Sequence, residues 1–381
     1  MKILHIGKFY PPFHGGMENY LCDLAEAQVS QGNEVTVWVH NHDWSWVKSK
    51  TTTTELNGVR VIRQSTLKPF LFTPIMLGFR RQLKHLMATD KPDIIHLHWP
   101  NPSLFFLLSH KLVKSIPWLM SWHSDMVTEH SRWLMRCIYR CIKPLENSLI
   151  NETDRILVST QAYANHSSQL AKNKKKTEVL PLGIDVSKIQ ALHAKPAKER
   201  WPENKFRLFH LGRLTFYKNQ AMLVDAMSLL NDAHLLIAGS GQLASQLADQ
   251  IKTVEADNVE LLGSQSWQQV HELYAGCDVF CMASNDRAES FGVVLLEAML
   301  HEKIILVPDT QGSGMQHLAE KYPKGFVYQA NNPADFLDKI KFIQTNFDEI
   351  SQKPHDFDYH IDQVAEQIQN QYHHLISGEL R

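Results

Sequence analysis

The chain has 381 residues, 44% of them hydrophobic and 21% charged, with a formal net charge of −1. That composition is globular, gives room for two domains of ordinary size, and lacks the strong positive charge of a general nucleic-acid binder. No run of eighteen apolar residues occurs, which argues against a membrane-spanning helix.

From the N-terminus, KILHIGKFY is strand-like and breaks at Lys8, so it reads as a first strand and not as a secretion signal. GMENYLCDLAEAQVSQG has helical periodicity ending at Gly32, and EVTVWVH is a strand again. PDIIHLHWP, PWLMSWH, RILVST and EVLPLG follow, separated by helical segments. The same grammar continues through FRLFHLGRL, AHLLIAGSG, VELLGS, CDVFCMAS and KIILVPD, and YHIDQVAEQIQNQYHHLISGEL closes the chain as a helix. Strands alternating with helices predict an α/β fold with parallel sheets and crossover helices. The expected architecture is two Rossmann-like, doubly wound domains, residues 1–182 and 183–359, joined near LPLGIDVSKI, with residues 360–381 as a terminal helix. Ligands bind such sheets outside the carboxyl ends of the strands, so two facing domains would form a cleft.

Charge is unevenly divided. Residues 1–182 hold 22 Lys and Arg against 14 Asp and Glu, and the remainder hold 17 against 26, which points to different partners for the two halves. Five cysteines suit a reducing compartment better than a disulfide framework. Cys137/Cys141 and Cys277/Cys281 share a spacing, but their apolar contexts suit buried thiols better than a zinc site.

Several post-strand loops carry chemistry-bearing side chains. In KFYPPFHGGMENY, Gly15 and Gly16 let the backbone approach a ligand where a helix begins, a place that favours an anion; a plain glycine turn is the alternative. The spacing is not GxGxxG, so the dinucleotide fingerprint is missing. In LGRLTFYKNQ, Arg213 and Lys218 follow the second half's first strand. A guanidinium fork and a mobile ammonium suit a pyrophosphate leaving group, with solvated surface charges as the alternative. His123 and Asp125 in MSWHSDM also follow a strand, where His123 could bond a sugar hydroxyl or serve only structure. His96 and His98 are expected to line the cleft.

In NDRAESFGVVLLEAM, Glu289 and Glu297 bracket a glycine-containing turn. Ser290 is expected to cap a helix starting at Phe291-Gly292, which would leave Glu289 beside open backbone N–H groups and Glu297 on the helix's inner face. A buried carboxylate is costly unless paired. The expectation is that a ligand supplies both partners, with vicinal hydroxyls such as those of ribose at Glu297; a buried Arg or Lys is the alternative.

Taken in order, PPFHGGMEN, SWHSD, LPLGID, LGRLTFYKN, LLIAGSG, LLGSQSWQQVHELYAGCDVF and ESFGVVLLE resemble the retaining GT-B glycosyltransferases of family 4 over nearly the whole chain. The resemblance implies that Arg213 and Lys218 bind a donor diphosphate and that Glu289 contacts the donor sugar beside the Phe291 and Gly292 amides. It gives Glu297 to the ribose, Gly15 and Gly16 to the phosphates, His123 to the sugar and acceptor, and the backbone at Leu262 and Gly263 to the base. The implied reaction moves a hexose or N-acetylhexosamine from a UDP- or GDP-sugar to a glycan or lipid-linked acceptor, with retention, in bacterial cell-surface polysaccharide or lipopolysaccharide assembly. No cofactor, metal or nucleic acid is implied, and the one Asp-x-Asp, Asp356 to Asp358, lies in the tail. The loop after KIILVPD departs from the regular glycine and acidic pattern of many relatives. A GT-B-shaped sugar-nucleotide epimerase and a non-catalytic sugar-nucleotide-binding module stand as alternatives.

LFTPIMLGFRRQLKHLMA and SRWLMRCIYRCIKPLENSL mix cations with Trp, Leu and Ile at helical spacing, and KNKKK at 172–176 adds charge. With the basic first half, they suggest contact with an anionic membrane surface, hence a cytoplasmic protein peripheral at the inner face of the membrane. Core helices with solvated basic faces are the alternative.

Overall fold

The structure, a computed structural model, describes residues 1–13, 15–41, 50–70, 73–110, 113–126 and 133–379. It divides into two compact units, Met1–Gly183 with Tyr359–Arg381, and Ile184–Asp358. Among the described residues no helix is long and apolar enough to cross a membrane.

The first domain contains β1 (Lys2–Ile6), β2 (Glu34–His40), β3 (Thr52–Leu56), β4 (Val59–Gln64), β5 (Thr66–Phe70), β6 (Thr73–Met76), β7 (Ile94–Trp99), β8 (Trp118–Trp122), β9 (Arg155–Val158) and β10 (Thr177–Val179). Eight of them form one sheet in the order β10-β9-β8-β7-β1-β2-β4-β3, and β5 pairs with β6 separately. The large sheet is parallel except at its edge, where β3 runs antiparallel to β4. That hairpin departs from the all-parallel expectation. Its turn is Asn57-Gly58, both with positive φ (49° and 78°), a two-residue connection that matches strand twist.

Alternation along β1 sends Leu4 and Ile6 to one face and Ile3 to the other, because successive strand residues point oppositely. The Leu4 face packs on α2 (Phe79–Thr89) and α3 (Trp133–Glu152) through Phe79, Leu83, Leu149 and Ile150. The Ile3 face packs on α1 (Gly16–Ser30) and the C-terminal helix (Ile361–Ser377). Ile361, Val364, Ala365, Ile368 and Tyr372 recur at helical spacing and join Leu21 and Leu24 in one apolar cluster. With helices on both faces, β7 is buried along its whole length.

The second domain holds β11 (Phe206–Leu211), β12 (Ala233–Ala238), β13 (Val259–Gly263), β14 (Val279–Cys281), β15 (Ile304–Pro308) and β16 (Gly325–Tyr328). All pair in parallel in the order β13-β12-β11-β14-β15-β16, with β16 an edge strand beyond those the sequence pattern suggests. The chain winds outward from β11 to β13 and then restarts at β14 on the other side of β11. This reversal puts a crevice at the carboxyl ends of β11 and β14. Among its helices are α4 (Gln220–Met227), α5 (Trp267–Gly276) and α6 (Val293–Leu300). Helix α6 starts later than the sequence suggests: Gly292, left-handed at φ 84°, occupies the N-cap, and Ser290 makes no capping bond. Only a residue that tolerates positive φ can turn the chain there.

Candidate functional site

The second domain's switch point gathers three of the expected residues. Gly212 and Arg213 follow β11 directly, and Lys218 ends a short 3₁₀ turn, Phe216–Lys218. Arg213 is exposed, whereas Lys218 is buried and its Nζ forms an ion pair with the carboxylate of Glu289, which arrives on the loop after β14. Burial is the strongest influence on Lys218 and acts to lower its pKa, but Glu289 and Tyr217 together outweigh it and hold the ammonium above its ordinary value. A Cβ on Gly212 would sit 3.3 Å from Lys218 Cε, so a bare backbone at 212 leaves room for the lysine stem.

The fold therefore supplies Glu289 with a cation, and the expectation that a ligand would provide its partner is corrected. Glu297 is 5% exposed on α6. The buried Tyr274 hydroxyl, pushed well above its ordinary value by burial first and then by Glu297, lies beside that carboxylate and donates to Val294 O at 2.9 Å.

Backbone contacts lock these loops together. Leu214 N–H donates to Ser240 O at 3.0 Å, Asn285 N–H to Tyr217 O at 3.1 Å, and Gly239 N–H to Gly263 O at 2.8 Å. Gly263 has φ +67° and open space where a Cβ would point, and the carbonyl of Leu262 accepts from Gln265 Nε2 at 2.8 Å. The loop after β15, whose role the sequence left open, clamps the Glu289 turn: Ser313 Oγ donates to Glu289 O at 2.5 Å and Gly314 N–H to Ser290 O at 2.8 Å. Two polar groups that sequence reasoning passed over lie on these loops. The hydroxyls of Thr215 and Ser284 are buried without hydrogen-bond partners among the described residues. Their signal was only their place in the TFYK and ASND segments after β11 and β14.

In the first domain, Gly15 (φ 177°, extended) and Gly16 precede and open α1, and His123 follows β8. His96 and His98 do not line an opening. Both are buried in β7, and with His5, Gln28, Tyr372 and Ser121 they form one hydrogen-bonded group. The donor atoms of His5, His96 and His98 lie within 4.8 Å of one another, but all six ring nitrogens are already hydrogen-bonded. A tetrahedral zinc site needs nitrogens about 3.4 Å apart, so the set works better as a polar network than as a metal cage. Asp125 is a staple: it accepts from Trp122 Nε1 at 3.0 Å and from Ser167 Oγ at 2.8 Å.

Residues 14–188 match Glycosyltransferase Family 4, and residues 193–360 match Glycosyl transferases group 1. The chain belongs to this glycosyltransferase superfamily. The D-rhamnosyltransferase WbpZ of Pseudomonas aeruginosa is 26% identical to this glycosyltransferase over 352 residues, covering 90% of this chain and 86% of that protein. The O-antigen chain mannosyltransferase C of Escherichia coli is 24% identical, covering 91% and 89%. Among solved structures, Anabaena HepE in complex with UDP and glucose superposes with a TM-score of 0.69 at 19% identity, covering 98% of this chain and 100% of that one. The glycosyltransferase thus has the GT-B architecture of two Rossmann-like domains.

The basic segments of the glycosyltransferase are only partly positioned. Leu71, Phe72, Ser131 and Arg132 lie outside the described residues, as does His14 of the glycine loop. On α3, Trp133, Arg136, Arg140 and Leu145 are exposed. Lys176 of KNKKK is not a loose surface charge, since its Nζ donates to Asn151 O at 2.7 Å and Thr153 O at 2.8 Å and caps the end of α3.

Proposed function

We propose that this glycosyltransferase is a retaining enzyme that moves a hexose or N-acetylhexosamine from a UDP- or GDP-sugar to a glycan or lipid-linked acceptor. The observation that carries this reading is the meeting of Arg213, Lys218 and Glu289 at the carboxyl ends of β11 and β14. Breaking a sugar–phosphate bond leaves negative charge on the departing diphosphate, and fixed cations there lower the barrier. Lys218, held charged by Glu289, is one such cation, and the exposed Arg213 guanidinium offers a fork to two phosphate oxygens. Glu289 would orient the donor sugar beside the Phe291 and Gly292 amides, Glu297 the ribose, and the turn at Leu262 and Gly263 the base. Gly15 and Gly16 would approach the phosphates, and His123 would meet a sugar or acceptor hydroxyl. No metal is required in this scheme, because the two cations perform its neutralising role.

The names of the relatives, a D-rhamnosyltransferase and an O-antigen chain mannosyltransferase, support assembly of a bacterial cell-surface polysaccharide as the setting. Exposed Trp133, Arg136, Arg140 and Leu145 on α3 support a cytoplasmic enzyme that rests on an anionic membrane surface, where aromatic and cationic side chains favour the headgroup region.

The test pairs binding with transfer. Thermal shifts against UDP, GDP and ADP and their sugars, without added metal, should single out one nucleotide. With that donor, Arg213→Ala should slow transfer about 100-fold or more while the protein stays folded. No shift with any nucleotide at millimolar concentration, or full activity in Arg213→Ala, would remove the reading.

A further inference from the structure

Four buried side chains of the first domain stand in a line that ends at His123. Gln28 Oε1 is 2.7 Å from His5 Nε2, His5 Nδ1 is 3.0 Å from His98 Nε2, and His98 Nδ1 is 3.1 Å from His123 Nε2. Among the described residues, His123 Nδ1 is the one ring nitrogen of these histidines with no hydrogen-bond partner. Burial lowers the pKa of His5 and His123 to about 4 and that of His98 well below its ordinary value, so at neutral pH each ring carries a single N–H. A neutral imidazole has one donor and one acceptor nitrogen. The direction of the first bond in the line therefore sets every bond after it.

Gln28 sets that direction, because its amide also meets Tyr372, with Nε2 3.1 Å from the tyrosine hydroxyl. These lengths suit N–H···O bonds on both sides. A flipped amide would press nitrogen against nitrogen at 2.7 Å and leave two oxygens 3.1 Å apart, the first too short and the second too long for their types. With the amide oxygen on His5, the His5 Nε2–H donates and its Nδ1 accepts from His98 Nε2–H. His98 Nδ1 then accepts from His123 Nε2–H, and His123 Nδ1 is left as an acceptor. Tyr372 completes the order: it donates to His96 Nδ1 at 2.6 Å, and His96 Nε2–H donates to Ser121 Oγ at 2.8 Å. Each ring proton in the group meets a lone pair. Beyond the line, His123 and Ser159, whose buried hydroxyl has no partner among the described residues, line the same small cavity with Tyr20, Leu180 and Leu182.

We propose that Gln28 and Tyr372 are positioning residues that preset His123 with its Nδ1 unprotonated, ready to accept a hydrogen bond from a ligand hydroxyl at the carboxyl end of β8. The use of that acceptor in transfer rests on the function proposed above; the proton order inside the domain does not. Presetting removes the cost of choosing a tautomer as the ligand arrives, and it makes His123 selective for hydroxyl donors over acceptors.

Long-range proton–nitrogen spectra of the full chain with labelled histidine, recorded without ligand at neutral pH, read which ring nitrogen of His123 carries the proton. A His123→Asn spectrum assigns the signal. The expected result is an unprotonated Nδ1; a protonated Nδ1 overturns the proposal whatever the enzyme does. Tyr372→Phe removes the acceptor that holds the Gln28 amide, and Gln28→Met removes the amide, so each should give a mixture of two tautomers at His123. Ser121→Ala lies beyond His96 and should leave the order intact. A single unchanged tautomer in both Tyr372→Phe and Gln28→Met overturns the proposal. At subsaturating ligand the variant's transfer rate should fall in proportion to the fraction of His123 still in the Nε2–H form, about twofold for an even mixture, through a higher apparent KM for the ligand that meets His123 at unchanged kcat. Mixed tautomers with an unaltered rate overturn the functional half. The expected order in a wild-type protein that transfers no sugar supports the tautomer order and removes the transferase reading alone.

Discussion

Lys218 and Glu289 are ion-paired across the carboxyl ends of β11 and β14, the two strands at which the second domain's sheet reverses its winding. Their side chains are 9% and 14% exposed, so each ion relies on the other more than on water. Arg213, on the same loop as Lys218, has no such constraint, because it is exposed. The cation expected to meet a diphosphate first is thus the one that contributes least to the fold.

Removing one partner of this pair should cost more than removing both. Lys218→Met leaves a half-buried carboxylate without its cation and should destabilise the second domain by about 3 kcal/mol. Adding Glu289→Gln should recover most of that loss, while Arg213→Ala should move stability by less than about 0.5 kcal/mol. Denaturant unfolding of the two singles, the double and Arg213→Ala gives the coupling directly. Simple additivity of the two singles would show that the pair carries no mutual energy.

The glycines of the two domains should separate structural from functional need. Gly239 has φ +134°, and a Cβ there would fall 2.0 Å from Gly212 O, backbone that cannot yield. Gly239→Ala should therefore cost roughly 3 kcal/mol and lower the thermal midpoint by several degrees. Gly16 has nothing within 4 Å of its would-be Cβ. Gly16→Ala should leave the melting curve in place, so any fall in transfer rate would report the approach of a ligand. A large loss of stability in Gly16→Ala would instead make that glycine structural.

Much of this was legible in the sequence because its signals were local. Strand–helix alternation placed both sheets, and the positions of Arg213, Lys218, Glu289 and His123 after strands placed them at the carboxyl ends of β11, β14 and β8. What escaped depended on partners distant in sequence. Nothing near Glu289 announces Lys218, and nothing near His96 and His98 announces Gln28 or Tyr372, so a core network looked like a cleft lining. The start of α6 was misplaced because Ser290 is a good cap in isolation, while Gly292 alone fits the left-handed turn. The Asn57-Gly58 hairpin carried a clear turn signal that strand–helix alternation overshadowed.

Buried histidines should make the protein acid-labile well before its carboxylates titrate. Burial lowers His40 and His271 to about 3, and His5, His123, His210 and His301 to about 4, against about 6.5 in the unfolded chain. Between those values the unfolded state binds more protons than the native state, so stability falls as pH drops from about 6.5 towards 4 and is flat with respect to these groups above 7. Each histidine contributes up to about 1.4 kcal/mol per pH unit inside that window. Urea midpoints measured from pH 7.5 to 4.5 should fall steeply below 6.5. A level profile down to pH 5 would mean that the histidines are protonated in the fold.

Glu146 should act with the opposite sign. It is buried on α3, accepts from Gln169 Nε2 at 2.7 Å and from the Tyr139 hydroxyl through the same oxygen, and its other oxygen has no partner among the described residues. Burial raises its pKa to about 7, against the lowering influence of those two hydrogen bonds. A carboxyl that is easier to protonate in the native state favours folding at low pH, and that stability is lost as pH rises from about 4.5 through 7. Glu146→Gln keeps an oxygen for Tyr139 and Gln169 and removes the charge. It should therefore stabilise the first domain by roughly 1–3 kcal/mol at pH 8 and by nearly nothing at pH 4.5, where the wild-type carboxyl is already neutral in the fold. Unfolding curves of wild type and variant at the two pH values decide it: a gain at pH 8 that shrinks towards pH 4.5 follows from the buried, neutral-preferring carboxyl. An equal effect at both values would mean that Glu146 is ionised throughout.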